Sequence, residues 1–84
     1  MDALYTAQVI SLDGARRTRR LSRRERAVLD ALAQGQATEE IAQALVLSPH
    51  TVRSHVKTAM RKLGARTRAH AVAIALSAGA IDAP

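Results

Sequence analysis

The chain has 84 residues, with 13 Lys and Arg against 7 Asp and Glu, a single Tyr, and no Cys, Trp or Phe. That length holds one domain with a modest core, and the lack of Cys excludes a disulfide framework or a Cys-based zinc site. No apolar run nears the roughly 18 residues of a membrane span. Arg16, Arg17, Arg19 and Arg20 stand where a secretory cleavage site needs small residues, so the expected compartment is the cytoplasm.

The formal net charge of +6 is unevenly spread: seven basic residues fall within 16–26 and six within 53–68, with Asp30, Glu39 and Glu40 between the blocks. Such clustering favours a polyanionic partner, either nucleic acid or an anionic membrane surface. A membrane-surface helix expects bulky aromatics opposite its basic face. This chain offers one Tyr for that role, so no membrane partner is expected.

Residues 1–20 read as a flexible extension or linker. Tyr5, Val9 and Leu12 fit one helical face, although "AQVIS" also fits a short strand, Asp13-Gly14 reads as a turn, and "ARRTRR" as a solvated basic arm. From Leu21 onward the signals are helical. Ser22 and Glu25 form a capping box, Val28, Leu29 and Leu32 an inward stripe, and Gly35 a stop, which predicts helix α1 over about residues 23–34. Thr38 is the expected N-cap of α2, with Glu39 and Glu40 near its positive end and Ile41, Ala42 and Leu45 inward, over about residues 39–45. Ser48 and Pro49 open α3, Val52, Val56, Ala59, Met60 and Leu63 line its buried side, and Gly64 ends it, giving about residues 49–63. Thr67 caps α4, over about residues 68–78, with Ala71, Val72, Ala75 and Ala78 inward and Gly79 as the stop.

Two helices joined by about three residues, the second the longer, form a helix-turn-helix. The second helix of that motif enters the major groove of DNA and reads base edges with its N-terminal half. His50, Arg53, Ser54, Lys57 and Arg61 lie opposite the Val52/Val56 stripe of α3. Arg53 and Lys57 suit guanine O6 and N7, while Ser48 and Thr51, at the helix start, suit phosphate. Arg23 and Arg24 sit at the start of α1, where the helix dipole disfavours positive charge, so they join Arg61 as expected phosphate contacts.

Residues 21–81 resemble the LuxR/NarL-type (GerE-like) helix-turn-helix DNA-binding domain of bacterial transcription regulators. "LSRRE", "EEIAQAL", "LSPHTVRSHV", "KLGARTR" and "AVAIAL" followed by "GAI" stand in family order and spacing. The resemblance implies an all-α, four-helix domain over 21–84 with α3 as recognition helix, and sequence-specific binding to double-stranded DNA as a dimer through α4; the small side chains of that helix make the expected homodimer weak. By motif position it places Arg53, Ser54 and Lys57 near bases and Ser48, Thr51 and His55 near phosphate. The outward side of α4 is His70, Ala73, Ile74 and Ser77.

Three positions depart from the family pattern. Ala37 stands where Ser or Thr is usual, so Thr38 is expected to cap one residue later. Val46 stands where Gly is frequent, so the turn is expected to avoid positive φ. Ala59 replaces a larger apolar residue, which leaves a thinner core or a gap for Met60. Alternative readings are a sigma-factor-like promoter-reading domain, whose partner would be RNA polymerase, and a helical protein–protein interaction module. No catalytic constellation is present: Glu25 and Glu40 are helix-start carboxylates, and no nucleophile stands with a base. His50 and His55 do not share a helix face and have no third ligand nearby, so neither metal nor cofactor is expected.

Overall fold

The computed structural model describes residues 15–83. The expected face of Tyr5, Val9 and Leu12 and the Asp13-Gly14 turn lie outside the described residues. Among those residues the fold is all-α, with α1 at Arg23–Ala33, α2 at Thr38–Leu45, α3 at Pro49–Leu63 and α4 at Arg68–Ser77. Residues 15–18 add one helical turn ahead of α1.

The starts follow the caps written into the sequence. At α1 the Ser22 Oγ accepts from the Glu25 N–H at 3.0 Å and the Glu25 carboxylate accepts from the Ser22 N–H at 2.8 Å, which satisfies two first-turn donors reciprocally. Ser48 Oγ accepts from the Thr51 N–H at 3.0 Å, and Thr67 Oγ1 from the His70 N–H at 3.0 Å. At α2 the expected cap is corrected: Ala37, not Thr38, occupies the N-cap, and Thr38 is already helical. Half a capping box survives there, because the Glu40 carboxylate accepts from the Ala37 N–H at 2.8 Å.

All four helices end alike, with a left-handed residue and a following N–H that bonds five residues back. Gly35, Gly64 and Gly79 hold that residue at α1, α3 and α4. At α2 it is Val46, with φ 57° and ψ 51°. The expected avoidance of positive φ is therefore wrong. The Leu47 N–H reaches the Ala42 carbonyl at 2.8 Å, and Leu47 folds back onto the core beside Ala42. Only a left-handed residue at 46 permits that reversal.

The core has two compartments. Val28, Ile41, Ala42, Val52 and Val56 join α1, α2 and the first half of α3. Leu21, Leu29, Ala59, Leu63, Ala71, Ala75 and Ile81 join α1, the second half of α3 and α4. Leu32 and Met60, half-buried, pack against both. Helices α1 and α3 thus form a spine with α2 on one side and α4 on the other. On α4, Ala71 and Ala75 are buried as expected, whereas Val72 and Ala78 are only half-buried.

Part of the basic arm packs onto the fold. Thr18 is 4% exposed, and its carbonyl accepts from the Arg26 guanidinium at 3.1 Å. Arg17 donates to the Leu63 carbonyl at 2.8 Å, at the C-terminal end of α3. Arg16, Arg19 and Arg20 are exposed. A stretch with four arginines can dock because one of them satisfies a helix-end carbonyl, an acceptor that α3 itself leaves unpaired.

Candidate nucleic-acid interface

The outward face of α3 is fixed by its inward one. Val52 and Val56 are buried against α1 and α2, and side chains on the opposite face of the helix point to solvent. His50, Arg53, Ser54 and Lys57 are all exposed and together line a groove of about 180 Å³. Arg61, one turn beyond Lys57, is exposed as well. The expected base-reading residues are therefore brought together.

At the N-terminal end of α3, Pro49 has no N–H and the Thr51 N–H is taken by Ser48 Oγ. The Ser48 and Thr51 hydroxyls share a hydrogen bond of 2.9 Å, so one of their two hydroxyl protons stays available to an acceptor. Ser48 is exposed, and Thr51 and His55 are half-buried.

The first two arginines of α1 point to different places. Arg24 donates to the Leu45 carbonyl at 3.3 Å, at the end of α2 beside the turn. Arg23 lines a separate groove with Arg26, Asp30 and the segment Ala80–Asp82, and is not brought together with α3.

Lys62 sits next to Arg61 but is committed inward. Its ammonium donates to a Glu25 carboxylate oxygen at 2.7 Å. That bond ties the start of α1 to the end of α3. Burial pushes the Glu25 carboxyl up, but the Lys62 hydrogen bond and charge and the Ser22 N–H outweigh it, and the net pKa is lowered. The sequence pattern identifies Glu25 as a cap, but a pair 37 residues apart has no local signal.

The α3–α4 half has one sign of charge. Between Leu47 and Ile81 there is no Asp or Glu, against Arg53, Lys57, Arg61, Lys62, Arg66 and Arg68. A surface of that kind raises the local concentration of a polyanion. On α4, His70, Ala73 and Ser77 are exposed, while Ile74 is half-buried against the core.

A family model described as bacterial regulatory proteins of the luxR family matches residues 19–75. The chain belongs to the luxR family. Membership makes it a DNA-binding module of transcription regulation and not an enzyme. This luxR-family chain is 44% identical over 62 residues to the spore germination protein GerE of Bacillus subtilis, covering 74% of the chain and 84% of that protein. It is 49% identical over 59 residues to the response regulator RamR of Streptomyces coelicolor, covering 70% of the chain and 29% of RamR. Against the transcriptional activator protein BjaR1 of Bradyrhizobium diazoefficiens it is 46% identical over 57 residues, covering 68% of the chain and 24% of that activator. The chain thus spans most of GerE but under a third of the two longer relatives. The crystal structure of full-length FixJ from B. japonicum superposes with a TM-score of 0.76 at 28% identity, over 96% of this chain and 40% of that one. No helix among the described residues is long and apolar enough to cross a membrane.

Proposed function

We propose that the chain binds double-stranded DNA sequence-specifically, with α3 in the major groove and two copies paired through α4. Arg53, Ser54 and Lys57 read base edges. Ser48, Thr51, His55, Arg24 and Arg61 hold phosphates. Arg23 is left out of that set because it shares its groove with the C-terminal segment.

The observation that carries the reading is the shared groove of His50, Arg53, Ser54 and Lys57 on the face of α3 opposite Val52 and Val56, in a stretch, residues 47–81, without an acid. Arg53 and Lys57, one helical turn apart, present donors of the kind that pair with guanine O6 and N7. Pairing through α4 is supported by the small exposed residues Ala73 and Ser77 beside His70, which allow close approach but bury little area, so the pair forms on DNA and is weak in solution.

The test is affinity for a duplex selected from random DNA and for each single-base variant of it, at fixed salt. Arg53→Ala and Lys57→Ala each cost about 1–3 kcal/mol and relax preference at one base pair, while stability stays within about 0.5 kcal/mol. Thr51→Ala weakens all sequences alike. Unchanged base preference in both Arg53→Ala and Lys57→Ala removes sequence reading by α3.

A further inference from the structure

Arg53 and Lys57 line two grooves, and the second has a different chemistry. It holds about 360 Å³ between α3 and the start of α4, and Val56, Met60, Thr67 and Arg68 complete its walls. Its floor is apolar: Val56 is nearly buried and Met60 half-buried. Its rim is cationic, with Arg53 and Lys57 on one side and Arg68 on the other, all exposed. Among the described residues, the Arg68 side chain has no hydrogen-bond or ion-pair partner. It is also the first residue of α4, where no acid accompanies it and the helix dipole disfavours a cation. Nothing within the fold rewards a guanidinium there.

We infer that this groove seats a DNA sugar–phosphate strand, with Arg68 as a phosphate contact that no base-reading role explains. The reasoning is chemical complementarity. A nucleic-acid strand alternates an anionic phosphate with a mostly apolar deoxyribose. A cationic rim over a floor of Val56 and Met60 matches both parts, whereas an acidic peptide would bring backbone N–H and C=O groups that this floor cannot satisfy. Guanidinium is suited to phosphate oxygens, which it meets with paired donors. Because Arg53 and Lys57 form the ridge shared with the groove of His50 and Ser54, a helix reading bases on one side of that ridge has a strand on its other. Arg68 thus fixes the position of α3 across the major groove without carrying sequence information.

The inference rests on the proposed DNA-binding role, and the experiment separates the two. Binding of wild type, Arg68→Ala, Arg68→Lys and Arg53→Ala is measured over a range of salt, on a selected duplex and on a mixed-sequence duplex of equal length. Thermal melting checks folding, which an exposed side chain leaves unchanged. Arg68→Ala is expected to weaken both duplexes by about the same factor, roughly 5–10-fold, and to lower the slope of log affinity against log salt by about 0.9. Arg68→Lys keeps the slope, since charge is retained. Two results overturn the inference and leave the proposed function standing: Arg68→Ala binding with unaltered affinity and slope while Arg53→Ala is impaired, or Arg68→Ala changing preference at one base pair. Absence of salt-sensitive binding by the wild type removes both.

Discussion

Val46→Gly is expected to stabilise the domain, a rare direction for a point change. Val46 sits in the left-handed region at φ 57° and ψ 51° and is 89% exposed. For L-residues that conformation costs about 1–2 kcal/mol, and the branched Cβ of Val makes it worse. Exposure means that removing the side chain forfeits almost no buried apolar area. The opposing term is the freedom that glycine adds to the unfolded chain, about 0.4–1 kcal/mol. The balance favours Gly by about 1 kcal/mol, which in a domain of this size raises Tm by about 4–8 °C.

The assay is urea and thermal unfolding by circular dichroism on Val46→Gly, Val46→Asn and Val46→Ala. Gly is expected to gain most and Asn, which tolerates the left-handed region, somewhat less. Ala gains least, because it relieves the β-branch but keeps a Cβ. Equal m-values would show that the gain lies in stability and not in a changed denatured state. The hydrogen bond from the Leu47 N–H to the Ala42 carbonyl persists in each, so the α2–α3 angle is unchanged. A Gly variant no more stable than wild type would refute the reasoning, since it would mean that Val46 carries no strain.

Lys62→Ala removes the partner of a carboxylate that is 5% exposed; with the ammonium itself partly solvated, the expected loss in denaturant unfolding is about 1–2 kcal/mol. Because the Glu25 pKa is lowered in the fold, its contribution is complete above the unfolded carboxyl value of about 4.3 and is lost as pH falls through the lower folded value; urea midpoints from pH 7 to 3 should show that loss, and Glu25→Gln should flatten it. Arg17→Ala deletes the hydrogen bond to the Leu63 carbonyl and should cost about 1 kcal/mol, against under about 0.5 for the exposed Arg16→Ala; equal effects in melting would remove the docked role of Arg17. Ala73→Glu, on the exposed side of α4, should abolish cooperative occupation of a two-half-site duplex without lowering stability, and unchanged cooperativity would refute pairing through α4.

What the sequence showed, and what it hid, divides by range of interaction. Ser22 with Glu25, Ser48 with Pro49, and Gly35, Gly64 and Gly79 are local signals, and the helices begin and end where they say to within a residue or so. The exposed face of α3 was legible because Val52 and Val56 fix it from the opposite side. Val46 was misjudged because its intrinsic cost was weighed without the demand that sets its conformation, the return of Leu47 to the core. The α2 cap differs from expectation for a local reason: Thr38 has the better capping side chain, but the Glu40 carboxylate accepts from the Ala37 N–H, which anchors the helix start one residue earlier. Arg17 and Lys62 gave no signal, since their partners lie 46 and 37 residues away. Arg68 carries the same local signal as Arg23 and Arg24, a cation at a helix start.

The two compartments also divide the work of α3. Its N-terminal half, which carries Arg53 and Lys57 outward, is held from behind by Val52 and Val56 against α2. Its C-terminal half is held by Ala59 and Leu63 against Ala71 and Ala75 of α4. Ala59 is fully buried, in the compartment where α4 also presents alanines. Ala59 of α3 and Ala71 and Ala75 of α4 belong to one buried cluster, and Met60 spans the seam between the compartments. A larger side chain at 59 would therefore push α4 outward and cost about 1–3 kcal/mol of overpacking. Displacing α4 displaces the proposed pairing surface relative to the reading face, since one unbroken helix carries both halves. Under the proposed pairing, a larger residue at 59 is therefore expected to change the half-site spacing that two copies prefer, although Ala59, Ala71 and Ala75 are all buried away from any DNA surface.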